Sequence, residues 1–185
     1  MFLFGHLGIG SKIVSPWTNG VPRSALLFGT VLPDLIDKPL YYGVAASVGH
    51  DAARQSLISG TRTFGHTAIL LALVVALSFL RSSRLLAALA IGIGTHLLID
   101  NIGDKVQASL GFTQAGLQPG GLHALLWPLL GWQFPVYPFT SALAHFGSLR
   151  DPWILGGEIV GIYILVRDYR KRRNGSSVFN SAHSA

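Results

Sequence analysis

The chain has 185 residues, of which 50% are hydrophobic and only 12% charged, and its mean hydropathy is +0.47. Soluble domains carry about 25% charged residues, so this composition argues against a disordered chain and against an ordinary soluble enzyme. The absence of cysteine excludes disulfide scaffolds, Cys-ligated zinc, iron–sulfur clusters and thiol nucleophiles.

The length suits one domain. Residues 2–14 form an apolar helix candidate ending near Lys12, with no basic stretch before it of the kind a cleavable signal peptide has. Residues 15–22 are a turn by their Pro, Asn and Gly, and residues 23–35 then run apolar into Asp34 and Asp37. Residues 39–60 read as a polar connection with His50 and Asp51. Residues 64–80 hold no ionisable group except His66. After a short basic loop with Arg81 and Arg84, residues 85–102 stay apolar until His96 and Asp100. Residues 112–138 are rich in Gly, Pro and Trp, aromatic enough for an interface and too broken for one straight helix. Residues 152–166 are apolar around Glu158, with Gly157 and Gly161 at a spacing that permits close helix packing. Arg167, Arg170, Lys171, Arg172 and Arg173 end that segment, and from Asn174 the tail is expected to be disordered.

These segments predict an all-α fold: an integral membrane bundle of about five helices over residues 1–173, with residues 174–185 as the tail. Each apolar segment is slightly short of the ~20 residues of a full span, which implies tilt or a thin bilayer. Positive residues favour the cytoplasmic side. The 81–84 loop and the 167–173 run therefore lie there, giving a multi-pass protein of the inner (plasma) membrane with a cytoplasmic C-terminus. No nucleic-acid partner is expected, because no aromatic-interleaved basic surface or reader motif accompanies the basic run.

In this orientation His66, at the start of one helix, meets His96 and Asp100, at the end of the next. The N-terminal hairpin repeats the pattern, with Lys12 and Arg23 at its turn and His6, Asp34 and Asp37 at the opposite end. Two N-terminal helical hairpins thus carry one polar site. His96 and Asp100 are four apart and Asp34 and Asp37 three apart, so each pair shares a helix face. Imidazole nitrogen and carboxylate oxygen suit a divalent metal ion, Zn²⁺ first, then Mn²⁺ or Fe²⁺. Carboxylates in an apolar chain are costly unless paired or coordinated. The candidate ligands are His6, Asp34, Asp37, His66, His96 and Asp100, with Asp104 in addition. Each has an ordinary alternative. Asp34 and Asp37 can cap helices or pair with Lys38 and Arg62; His96 and Asp100 can hydrogen-bond each other; His6 can be a satisfied polar residue near a terminus; Asp104 can sit in an outer loop. His50, Asp51, His145 and His183 read as loop or tail residues, and Glu158 as a helix-packing partner.

The same residues carry a family resemblance. GHLGIGSKIV with His6, GTVLPDLID with Asp34 and Asp37, RTFGHT with Arg62 and His66, GTHLLID with His96 and Asp100, and LLWPL with Trp127 and Pro128 form an ordered set. The set resembles the membrane-bound, metal-dependent hydrolases described as LexA-binding and inner-membrane-associated, whose GH, PDxD, RGxTHS, HxxxD and WP elements it follows over roughly residues 5–130. The chain has Thr61 where an HR pair often stands and Gly65–His66–Thr67 where THS is usual, and His123, before the WP element, is the candidate substitute for the missing imidazole. The His/Asp order is similar, more loosely, to that of zinc-dependent phospholipases C, whose later HxxxE element is absent.

The resemblance implies hydrolysis, with LexA as a partner by family name alone. The bilayer and a membrane-proximal small-molecule or lipid ester or phosphoester are the expected partners. A metal ion would lower the pKa of bound water towards ~7 and polarise the substrate oxygen. Asp34 or Asp37 would act as general base while the other holds metal. Arg62 would receive an anionic oxygen such as phosphate, or else anchor at the interface or pair with an aspartate. The competing expectation is a non-catalytic membrane protein using these residues for a structural metal site or an ion or proton pathway. A hydrolase keeps an open coordination position; a structural site does not.

Overall fold

The computed structural model describes residues 3–17, 20–109, 120–136, 139 and 141–181, and these are all-helical, without a strand. Helix α1, Leu3–Val14, contains a π-helical stretch at His6–Gly10. After a turn come α2, Arg23–Gly29, and, beyond a break at Thr30 and Val31, α3, Leu32–Val48. Helix α4 is His50–Arg54. A 3-10 turn at Phe64–His66 leads into α5, Ala68–Leu80, and α6, Arg84–Ser109. Helices α7, Gly120–Leu125, α8, Ala142–Gly147, and α9, Pro152–Ser181, complete the order.

Local chemistry sets several of these starts. The Leu70 N–H donates to the Thr67 hydroxyl at α5, Leu86 N–H to the Ser83 hydroxyl at α6, and Ala144 N–H to the Ser141 hydroxyl at α8. At α9 the Asp151 carboxylate accepts the Trp153 N–H, beside Pro152 at the first helical position, where its missing N–H costs nothing.

Small residues set the helix spacing. Helices α5 and α6 form a hairpin in which Val74 packs on Ala90, Ile93 and Leu97. Helix α2 lies parallel to α6: Ala25 and Leu26 meet Ala88, and Gly29 meets Gly92. A Cβ on Gly92 would lie 2.3 Å from the Leu26 carbonyl oxygen, so no larger residue fits that crossing. Helix α1 runs antiparallel to α6, with His6 beside His96, Gly10 beside Thr95 and Val14 against the Ala25–Ala88 cluster. Helix α9 runs parallel to α1, with Glu158 beside Phe4 and Gly5 and Gly161 beside Gly8. Gly161 presses on the Phe4 carbonyl, where a Cβ would stand 2.1 Å from the oxygen, and Asp168 pairs with Arg23 at the far end. Four helices thereby close around the ends of α1 and α6.

The helix boundaries differ from the expected ones in informative places. The helix expected over residues 23–35 breaks at Thr30–Val31, and Pro33 opens a new one. Asp34 and Asp37 therefore begin α3 instead of ending α2. Residues 39–60 are not a connection: α3 continues through Pro39 to Val48 because Asp37, Tyr41 and Ala45 form a buried stripe at four-residue spacing, and α4 follows. The bundle of about five helices becomes nine α-helical segments among the described residues, and of these only α6 is long and apolar enough to cross a membrane. The aromatic stretch contains α7, and its residues 112–119, 137 and 138 lie outside the described residues. Helix α9 continues past Asn174 to Ser181; residues 182–185, His183 included, lie outside them as well.

Candidate metal centre

Helix α6 supplies His96 and Asp100 from successive turns of one face. The close Gly29–Gly92 crossing brings the end of α2 against α6, and His96 Nδ1 there donates to the Thr30 carbonyl at 2.8 Å. His66 is fixed differently. The buried Asp37 carboxylate accepts the Thr63 N–H and hydroxyl, both at 2.7 Å, the Gly65 N–H at 2.8 Å and His66 Nδ1–H at 2.7 Å. Gly65 is required in this turn, because a Cβ would fall 2.6 Å from the Pro33 carbonyl oxygen.

Both imidazoles thus carry a hydrogen on Nδ1, and when neutral each presents a lone pair on Nε2. Those two Nε2 atoms stand 3.1 Å apart. Asp100 Oδ2 lies 3.5 Å from the first and 3.7 Å from the second, and Asp34 Oδ1 lies 3.8 Å from His66 Nε2. His6 stacks on His96 with ring centroids 3.9 Å apart and points Nε2 at Asp100 Oδ1, 3.2 Å away. It is 1% exposed, and neither of its ring nitrogens has a hydrogen-bond partner among the described residues. His6, His96 and Asp100 offer ligand atoms within 4.8 Å of one another, as do Asp34, His66 and His96, so this buried cluster can hold a metal ion. The closest of these separations, 3.1–3.8 Å, are short enough for the atoms to share one ion.

Cationic side chains from neighbouring positions face the carboxylates of the cluster. Lys38 Nζ pairs with Asp34 Oδ2 at 2.6 Å, and Arg62 bridges Asp100 at 3.1 Å and Asp104 at 2.5 Å. Lys38 and Arg62 thus place two cations against Asp34, Asp100 and Asp104, and His66 faces Asp37, Asp34 and Asp100. Burial pushes the Asp34 carboxyl up, but the Lys38 ammonium and the two imidazoles outweigh it and hold it at about 2. For His66, burial favours the neutral ring, and Asp100, Asp37 and Asp34 together raise its pKa above the usual value. Arg62 is held charged in the same way by Asp100 and Asp104 against the cost of burial.

The structure thus brings His6, Asp34, His66, His96 and Asp100 to one point. Asp37 lies beneath it: its oxygens are committed to the 63–66 turn, so it orients His66 rather than facing an ion. Asp104 sits at the rim, between Arg62 and the Gly121 N–H. His123 is on an exposed face of α7 and does not join the cluster. Trp127, of the WP element, packs edge-on against Phe64 and stacks on Phe134, buttressing the turn that carries His66. His50 meets the Tyr41 hydroxyl and His145 the Tyr42 hydroxyl, away from the centre. Sequence reasoning missed Thr63 and the Thr30 carbonyl. The Thr63 hydroxyl had no spacing signal, and a backbone acceptor leaves none. The chain matches no family model, no curated protein and no solved structure.

Proposed function

We propose that this chain is a membrane-bound, metal-dependent hydrolase of the inner membrane, acting on a membrane-proximal ester or phosphoester. The observation that carries the reading is the pair of Nε2 lone pairs, 3.1 Å apart, with both Nδ1 hydrogens already donated to oxygen. Two such lone pairs repel unless a metal ion or a proton on His66 lies between them. The order of His6, Asp34, His66, His96, Asp100 and Trp127–Pro128, similar to that of LexA-binding, inner-membrane-associated hydrolases, supports the same reading.

His66, His96 and Asp100 would hold the ion, with His6 completing the set. Imidazole-rich sites favour Zn²⁺, and Mn²⁺ or Fe²⁺ are the next choices. Bound there, the ion would supply a water of lowered pKa and polarise the substrate oxygen. With Asp37 committed to the turn, Asp34 is the carboxylate placed to take a proton. Arg62, at the rim, would receive an anionic oxygen by exchanging one of its two aspartate partners. The membrane half of the proposal rests on α6 and on apolar side chains facing outward, among them Ile69, Leu73, Phe79 and Leu80 of α5 and Ile159, Tyr163 and Val166 of α9.

The test is elemental analysis of detergent-purified protein beside His96→Ala and Asp100→Ala. At least one equivalent of transition metal is expected in the wild type, and strongly reduced amounts in both variants. Equal content in all three removes the metal. Metal-dependent cleavage of a chromogenic phosphodiester or ester in mixed micelles then tests the chemistry.

One observation favours a second reading. Lys38 and Arg62 already partner Asp34 and Asp100, as in a charge-compensated cluster that holds a structural metal or passes a proton in a non-catalytic membrane protein. Cobalt substitution separates the two: a hydrolase site keeps a solvent-exchangeable ligand on the ion, whereas a closed site does not.

A further inference from the structure

The directions of four helices sort the charges of the molecule. Helices α2 and α6 are parallel, and α1 and α9 run so that the end of α1 and the far half of α9 meet their starts. Lys12, Arg23, Arg81 and Arg84 therefore lie at one end of the bundle together with the five cations between residues 167 and 173. That end holds nine of the fourteen Lys and Arg residues and one of the eight acids, Asp168, which is already paired with Arg23. The rest of the molecule, with the His/Asp cluster, carries five cations and seven acids. The overall charge of +6 thus conceals an end of +8 and a remainder of −2.

Just inside the cations comes an apolar ring. Phe79 and Leu80, directly before Arg81, are 79% and 80% exposed, and Tyr163 and Val166, directly before Arg167, face outward as well. Large aliphatic and aromatic groups next to a band of Arg and Lys match the cross-section of a bilayer, acyl chains and then phosphates. A nucleic acid would satisfy the cations and leave Phe79 and Leu80 in water.

We propose that this basic end is a binding surface for anionic phospholipid headgroups, which gather around α9 and the α5–α6 turn in the leaflet opposite the metal centre. The inference rests on the membrane half of the proposed function and is independent of the metal. A phosphate diester with one negative charge is the ligand chemistry. Each Lys or Arg near such a surface contributes a few-fold in partition, and the sum is screened by salt.

The experiment uses the full chain reconstituted in vesicles of phosphatidylcholine alone or with phosphatidylglycerol, with spin-labelled lipids reporting which headgroup borders the protein. A second protein carries Arg170→Gln, Lys171→Gln, Arg172→Gln and Arg173→Gln, all exposed and remote from the cluster. Several-fold enrichment of labelled phosphatidylglycerol is expected for the wild type, falling most of the way to parity in the variant and in high salt. Equal labelling by both lipids, with protein in both vesicles, overturns the headgroup proposal and leaves the membrane reading intact. Protein that floats with neither vesicle overturns both. Tighter binding of a short DNA duplex than of phosphatidylglycerol vesicles at equal salt assigns the surface to nucleic acid and overturns the proposal. Loss of metal in the His96→Ala protein with lipid enrichment unchanged is the expected independence.

Discussion

His66 Nε2 and His96 Nε2 face each other at 3.1 Å, each ring held from behind by an oxygen acceptor on Nδ1. A cation between them removes the repulsion. When the cation leaves, a proton must replace it, and His66, flanked by Asp34, Asp37 and Asp100, is the ring placed to take it. Chelation of the metal-loaded protein near pH 7 is therefore expected to consume about one proton. Calorimetry in buffers of different ionisation enthalpy reads this uptake. In His66→Gln the uptake is expected to vanish; an unchanged value would place the proton elsewhere.

Asp37 tests how far the centre depends on residues that do not touch the ion. It fixes both the tautomer and the direction of the His66 ring, and partners of this kind are worth about 10–100-fold in metal affinity. Asp37→Asn is expected to bind metal in that weakened range while keeping its stoichiometry. The same substitution at Asp100 should lower the stoichiometry itself. Competition with a fluorescent chelator distinguishes the two.

What the sequence disclosed follows from which interactions leave a spacing. His96 and Asp100 were legible because two polar residues four apart in an apolar helix share a face whatever the helix packs against. Asp34 and Asp37 gave the same signal, but their division into an ion-facing residue and an orienting one depends on the 63–66 turn, a segment with no periodicity. The stripe of Asp37, Tyr41 and Ala45 was present in the sequence and would have extended α3 beyond Pro39. Pro39 and the polar residues after it suggested a connection instead. The break at Thr30 was signalled by Gly29 and Pro33 within an otherwise apolar run, but its consequence, a backbone carbonyl that meets His96, leaves no mark in the sequence.

The Gly29–Gly92 crossing yields opposite predictions for two glycines in helices. At Gly92 a Cβ would strike the Leu26 carbonyl at 2.3 Å, whereas at Gly43 nothing lies within 4 Å. Gly92→Ala must spread α2 from α6, at a cost of about 1–3 kcal/mol, and pull Thr30 away from His96. Gly43→Ala should gain about 0.5–1 kcal/mol from helix propensity. Thermal unfolding in one detergent is expected to move down for the first and up for the second, with metal content reduced only in the first.

His145, outside the cluster but within reach of the Lys38–Asp34 pair, links stability to pH. Burial and then the Lys38 ammonium depress its pKa to about 4 from an ordinary 6.5, and its neutral ring stacks on Phe139 and meets the Tyr42 hydroxyl. The unfolded chain thus takes a proton below pH 6.5 that the folded chain refuses until about pH 4. Stability should be full above 6.5 and fall through that window, by at most about 2 kcal/mol after allowance for partial exposure. His145→Phe keeps the stack and cannot titrate, so denaturant midpoints at pH 7 and pH 4.5 should differ less for the variant than for the wild type.

Glu158 is the buried carboxylate that the metal centre does not use, and its contacts explain why. Its two oxygens accept the Phe4 and Gly5 N–H groups at 2.9 and 3.0 Å, so α9 caps α1 one residue before His6. The same contact brings Gly8 and Gly161 together, leaving His6 no freedom to withdraw from His96. Charged hydrogen bonds of this kind contribute about 1.5–3 kcal/mol each. Glu158→Ala is expected to lose about 3–6 kcal/mol, and Glu158→Gln, which keeps one acceptor oxygen, about half of that. Because the cap positions only one of the ligands, metal should remain in both variants with lowered affinity. Metal binding equal to wild type in a folded Glu158→Ala protein would show that His6 does not take part in holding the ion.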